Sequence, residues 1–238
     1  MAHVLIIPCA GEEIRWQRYL GVLKQLVEVE GEVLLKRTIR LFRERKPGLK
    51  IVVIANNPVF REVLDLDQRV VVSGAEPLVE DRLIAKIMSS RSHWTDCGRT
   101  MIVWGDVWLS EAAADQICAV PDRALNWYGR SHPSELTGKA VKELWGLSFG
   151  PFAHGTLEEA CRWYPPVEPY HDPTLGSPVG RRAWGAFRRA TGQDLHRPVK
   201  DFSQLVEIDD WTEDFDSPID FDTWRARREA WRKASTPG

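Results

Sequence analysis

Cysteine is sparse and unpatterned in this chain of 238 residues: Cys9, Cys97, Cys118 and Cys161 lie far apart and form no C-x-x-C pair. That spacing argues against a zinc or disulfide framework and fits reduced thiols, so a cytoplasmic protein is expected. The six histidines are scattered as well, which argues against a histidine-rich metal site. No apolar run approaches the roughly 18 residues that suggest a membrane span. The N-terminal "HVLII" is too short for a signal segment and leads straight into a turn, so no membrane partner is expected. Charge of one sign is also lacking. A net charge of −2 offers no basic surface for nucleic acid, and none is expected to bind. Neither an internal repeat nor a low-complexity segment occurs.

What is present is material for a core. Hydrophobic residues make up 43% of the chain, including eleven tryptophans, which read as core and nothing more specific. The length suits one domain spanning residues 1–238. "HVLIIP", "KIVVIANN", "RVVVSG" and "TMIVWGD" are short, nearly continuous apolar runs of the kind that form buried strands. Between them, residues 33–45 place Leu35, Ile39 and Phe42 at helical spacing, and residues 78–90 place Leu83, Ile84 and Ile87 likewise. A further helix is expected from Ser110, with its hydroxyl as N-cap. This alternation predicts an α/β fold, a Rossmann-like three-layer sandwich around a mostly parallel central sheet.

Beyond residue 123 the pattern loosens, and a less regular region extends to about 200. "RALNWYG" and "KELWGLSFG" read as strands, with a helix around Leu157 to Trp163. The stretch "YPPVEPYHDPTLGSP" is too rich in proline for regular structure and reads as a long ordered loop or lid. A helix over 180–191, a strand at "QLVEI" and a closing helix from Asp220 to Trp231 complete the reading.

In open parallel sheets ligands sit at the carboxyl ends of the strands, and two polar motifs fall there. The first is "PCAGEEIRW", a small-residue turn followed by Arg15. The second is Gly105-Asp106, where a carboxylate at a strand end is well placed for a hard cation. Ala10 and Gly11 alone could be an ordinary tight turn, and Arg15 and Lys24 ordinary surface charges. Near the C-terminus "DSPID" reads as a helix start, with Ser217 as N-cap and Asp220 as a capping carboxylate. Asp216 then lies just outside the cap, free to face the rim. Asp209, Asp210 and Asp214 read as solvated neighbours.

Three blocks stand in order along the chain. They are "IIPCAGEEIRW" followed by "LKQLVEVEGEVLLKRTI", then "VWGDVWLS", then "DDWTEDFDSPIDFDTW". Together they resemble the nucleotidyltransferases that join a nucleoside monophosphate to a phosphorylated acceptor. That family includes sugar-1-phosphate nucleotidyltransferases, phosphocholine-type cytidylyltransferases and the molybdopterin-guanine-dinucleotide enzyme. The match spans nearly the whole chain and is loose between about 120 and 200. The resemblance implies a nucleotide-diphospho-sugar transferase-like fold, a nucleoside triphosphate and a phosphorylated small molecule as partners, and Mg2+ as cofactor. It implies nucleotide contacts from Ala10, Gly11, Glu12, Arg15, Lys24, Asp81 and Gly105. Catalysis would fall to Arg15, Lys24, Asp106 and Asp216, the two aspartates holding the metal. Asp81 is also open to reading as a helix-start carboxylate. Lys139 and Lys142 either contact the anionic acceptor or lie on an exposed hairpin.

The chain departs from the family pattern at Glu13, where a second loop glycine usually stands. Glycine suits that position because backbone N–H groups must approach phosphate closely. Glu13 therefore keeps open a non-catalytic nucleotide-binding protein. A nucleotide-sugar-dependent glycosyltransferase of the same sheet architecture is the other alternative. Against it, "GDVW" has one aspartate where those enzymes usually carry Asp-x-Asp.

Overall fold

A computed structural model describes residues 3–9, 15–74, 87–121, 125–162 and 203–235. The expected nucleotide loop at 10–14 and most of the expected helix at 78–90, Asp81 included, fall outside these residues. So do the proline-rich stretch and the expected helix at 180–191.

The chain opens with β1 (Val4–Pro8), buried along its whole length. A hairpin of β2 (Glu28–Val29) and β3 (Glu32–Val33) leads into α1 (Leu34–Arg45). Leu34, Leu35, Thr38, Ile39, Leu41 and Phe42 are the buried face of α1, as the helical spacing requires. Next come β4 (Lys50–Ile54), a short α2 (Val59–Val63), β5 (Val70–Ser73), β6 (Thr100–Val103) and β7 (Val107–Trp108). Then α3 (Glu111–Ala119) begins at Ser110, whose hydroxyl accepts from Ala113 N and satisfies one free N–H of the first turn. The remaining elements are β8 (Leu125–Arg130), β9 (Glu143–Phe149), α4 (His154–Arg162), β10 (Ser203–Glu207), β11 (Glu213–Asp214) and α5 (Pro218–Ser235). Ser217 caps α5: its hydroxyl accepts from Asp220 N at 3.3 Å and donates to the Asp220 carboxylate at 2.8 Å.

Seven strands form one sheet in the order β10-β8-β9-β6-β1-β4-β5. β1 pairs in parallel with β4 and β6, β4 with β5, and β8 with β10. β9 runs antiparallel to both β6 and β8, which makes the sheet mostly parallel. From β1 the chain goes outward through β4 and β5, then crosses back to place β6 on the other side of β1. The crevice between the ends of β1 and β6 is therefore a topological switch point, where ligands collect in such sheets. Because β9 runs the other way, its first residues, not its last, lie on this rim.

Among the described residues the buried apolar side chains form two clusters. The larger joins the sheet to its helices through β1, β4, β6, α1 and α3. The smaller comprises Trp16, Val27, Val29, Leu34, Trp108, Trp211, Phe215, Phe221 and Trp224. No described helix is long and apolar enough to cross a membrane.

Candidate active site

Three chain segments meet at the switch point. At the end of β6 the backbone passes so close to β1 that a Cβ on Gly105 would lie 2.4 Å from Cys9 Sγ and 3.2 Å from the Pro8 carbonyl oxygen. Only glycine fits without a shift, and Gly105 N donates to that same Pro8 carbonyl at 3.2 Å. The following residue, Asp106, is thereby held against the end of β1 and is 7% exposed.

The second segment arrives from the other end of the sequence. β11 pairs antiparallel with β7, with Asp214 opposite Val107, and Phe215 N donates to the Asp106 carbonyl at 3.0 Å. This register brings Asp216 beside Asp106 although they lie 110 positions apart in sequence. Phe215 and Phe221, on either side of Asp216, anchor in the smaller apolar cluster.

The third segment supplies the cations. Trp16 is buried edge-on against Phe221, with ring centres 5.9 Å apart, and its indole N–H donates to the Val22 carbonyl. That anchor fixes Arg15, whose guanidinium pairs with Asp216 Oδ2 at 2.7 Å. Gln17, Arg18 and Leu20 adopt positive φ, so the chain turns sharply between Arg15 and the short 3-10 turn Lys24–Leu26. Lys24 Nζ contacts Asp106 Oδ2 and lies 3.8 Å from Asp216 Oδ1. Burial works against the Lys24 ammonium. Asp106 and then Asp216 outweigh it, and the amine stays above its ordinary pKa. Burial, reinforced by Asp214, raises the pKa of Asp216, while Lys24 and Arg15 pull the other way.

The structure thus brings Arg15, Lys24, Gly105, Asp106 and Asp216 together at one rim. Ala10, Gly11, Glu12 and Glu13 are outside the described residues, but their flanks, Cys9 and Arg15, both lie at this rim. Lys142 is exposed just before β9, on the same side of the sheet. Lys139 does not lie on an exposed hairpin. Its side chain is 12% exposed, with the ammonium 3.2 Å from Asp214, 3.4 Å from Glu143 and 3.5 Å from Asp220.

Asp214, expected to be solvated, is largely buried because β11 packs beside the first residues of β9. Asp209 is exposed, 3.8 Å from the His132 ring nitrogen. Asp210 is half-buried and accepts from the Ser110 hydroxyl and from Thr212 N.

Sequence reasoning missed this second polar layer. Its carboxylates Glu143, Glu213 and Asp214 place oxygens within 4.8 Å of one another, and Lys139 supplies a cation among them. Arg130 and Glu143 face each other across the β8–β9 register. A charged residue at the rim end of an otherwise buried strand was the available signal. Among the described residues, the ion pairs of four carboxylates (Glu143, Glu213, Asp214, Asp220) are made to Arg130 and Lys139, and Lys24 also acts on Asp214. Burial and then Asp214 push the Glu143 carboxyl up to about 9, from an ordinary value of 4.5. The folded state therefore holds a proton within the Glu143–Asp214 pair that the unfolded chain releases near pH 4.5. Stability falls as pH rises from about 4.5 to about 9, by at most about 1.4 kcal/mol per pH unit. Glu143→Gln will flatten that decline. Urea midpoints at pH 6, 7.5 and 9 test this, and equal slopes for the two proteins would refute it.

No family model and no curated protein sequence matches this chain. Solved structures do. UDP-glucose pyrophosphorylase complexed with UDP-glucose superposes with a TM-score of 0.64 at 8% identity, over 98% of this chain and 100% of that one. The 4-diphosphocytidyl-2C-methyl-D-erythritol synthase of Anaerococcus prevotii gives 0.62 at 12% identity, over 96% and 98%. A Bacillus anthracis protein assigned as a glucose-1-phosphate thymidylyltransferase gives 0.60 at 10% identity, over 94% of both chains. At such identities the likeness establishes the fold alone, a Rossmann-like α/β sandwich around a mostly parallel sheet.

Proposed function

We propose that this protein is a magnesium-dependent nucleotidyltransferase. It would transfer a nucleoside monophosphate from a triphosphate to a phosphorylated small molecule, a sugar phosphate or an amino-alcohol phosphate or phosphonate, and release pyrophosphate. The observation that carries the reading is the convergence of Asp106 and Asp216 on one ammonium, with Arg15 alongside, at the switch point of the sheet. Structures of this fold named as a pyrophosphorylase and a thymidylyltransferase support the same class.

The donor set fits the metal. Two carboxylates whose oxygens reach one cation are hard ligands of the number magnesium takes when phosphate and water complete its shell. Asp106 and Asp216 would hold the ion, which would supply positive charge to the triphosphate oxygens. An acceptor phosphate oxygen is already anionic near neutral pH and needs no general base. Its lone pair forms the new bond to the α-phosphorus while the bond from that phosphorus to the bridging oxygen breaks, and the electrons leave with pyrophosphate. Lys24 would neutralise charge at the α-phosphate and Arg15 charge on the leaving phosphates. Lys142, exposed at the rim, would meet the acceptor's anion.

The test is pyrophosphate release across the four common ribonucleoside triphosphates, each with phosphorylated sugars and amino-alcohols, with and without Mg2+. Release with at least one metal-dependent pair supports the reading. No release with any pair, together with hydrolysis of a nucleotide sugar, would replace it with a glycosyltransferase.

A further inference from the structure

On that reading, the cations beside the metal site bear on how a metal enters it. Both oxygens of Asp216 are engaged, Oδ2 by Arg15 at 2.7 Å and Oδ1 by Lys24 at 3.8 Å, and Lys24 also contacts Asp106 Oδ2. The Asp106 and Lys24 side chains are only 9% and 13% exposed, whereas that of Arg15 is 57% exposed. Of the two cations, only Lys24 bridges both carboxylates. We propose that Lys24 competes with the divalent cation for the Asp106–Asp216 pair, and that the triphosphate relieves this competition by drawing the Lys24 ammonium onto its phosphates.

Charge accounting explains the coupling. Lys24 and Arg15 offset the charge of Asp106 and Asp216, and the largely buried Asp214 adds a further carboxylate nearby. A divalent ion entering alone would take these two carboxylates from Lys24 and Arg15 and add its own positive charge beside them. A triphosphate supplies those cations with new anionic partners and frees the carboxylates for the metal. Each ligand then raises the affinity for the other by the same factor. The lysine is suited to this exchange. Its backbone is fixed in the short turn Lys24–Leu26, where Leu26 N donates to the Leu23 carbonyl at 2.8 Å and Gln25 is buried. The four-carbon stem carries a compact point charge that can change partners while the turn stays still.

The experiment measures Mn2+ binding by the electron paramagnetic resonance of the free ion, without turnover. Wild type is compared with Lys24→Met, and with Lys24→Gln should the first variant fold poorly. Each is measured with and without a triphosphate analogue that has a methylene between the α and β phosphorus atoms. The proposal expects wild type alone to bind Mn2+ weakly, and Lys24→Met alone to bind about tenfold more tightly or better. The gain should vanish in the Lys24→Met, Asp106→Asn double variant. The analogue should tighten Mn2+ binding by wild type far more than by Lys24→Met. If Lys24→Met binds Mn2+ no more tightly than wild type while wild type with analogue does bind it, the competition is refuted and the metal site stands. If neither protein takes up Mn2+ beyond what the analogue itself binds, the metal reading falls and the competition falls with it.

Discussion

We expect Asp106→Asn to lower the proposed nucleotidyl transfer by about a hundred- to a thousand-fold, and Asp216→Asn to do the same, with circular dichroism showing both variants folded. That is the usual loss when one catalytic electrostatic contact is removed. Asparagine keeps the size and one acceptor oxygen but loses the charge, so the site can no longer offer two anions to one cation. The fold should survive, because the Gly105–Pro8 contact and the β7–β11 pairing that build the site are backbone interactions. Controls come from the same stretch of chain. Asp209 is exposed, and Asp220 is occupied with the α5 cap and Lys139. Asn at either position should leave turnover within a few-fold of wild type. A crippling Asp209→Asn beside a silent Asp216→Asn would mean that the closing motif is misaligned, and a silent Asp106→Asn would refute the nucleotidyltransferase reading.

The parts of this arrangement legible in the sequence are those set by local physics. Buried strands such as "VLIIP" and "KIVVI" declare themselves as apolar runs, α1 by its spacing, and α3 and α5 by the Ser110 and Ser217 caps. Asp106 follows a strand end, so its place on the rim could be read directly. The meeting of Asp106 with Asp216 depends on a long-range register that no window of sequence contains. Only the order of three motif blocks hinted at it. The solvated reading of Asp214 and the exposed-hairpin reading of Lys139 both fail, because they follow the usual preference of aspartate and lysine between turns for water. Here the packing of β11 beside the start of β9 overrides that preference. The tryptophans were read as core, yet Trp16, Trp108, Trp211 and Trp224 form a separate cluster that cements the segments bearing Arg15, Asp106 and Asp216.

The fastening of β11 leads to the other large effect. Glu213 is 2% exposed and Arg130 fully buried, and Arg130 Nη2 donates to Glu213 Oε2 at 3.0 Å. The same oxygen accepts from the Thr137 hydroxyl at 2.5 Å, so the carboxylate ties β11 both to the end of β8 and to the loop before β9. Glu213→Ala would strand the Arg130 guanidinium, which already has one nitrogen without a hydrogen-bond partner, in a site that excludes water. Breaking a buried pair from one side costs about 3–5 kcal/mol, chiefly the desolvation of the charge left behind. Replacing both partners with apolar residues of similar volume removes that stranded charge. Arg130→Met combined with Glu213→Leu should therefore recover most of the loss, as urea unfolding at pH 7 would register. Turnover should not recover with it. The hydrogen bonds that hold β11 in register beside Asp106 would still be missing, and Asp216 would sit less firmly against its partner. A double variant no more stable than Glu213→Ala would show that packing, not stranded charge, sets the cost. One that regained full activity along with stability would show that the ion pair has no part in placing Asp216.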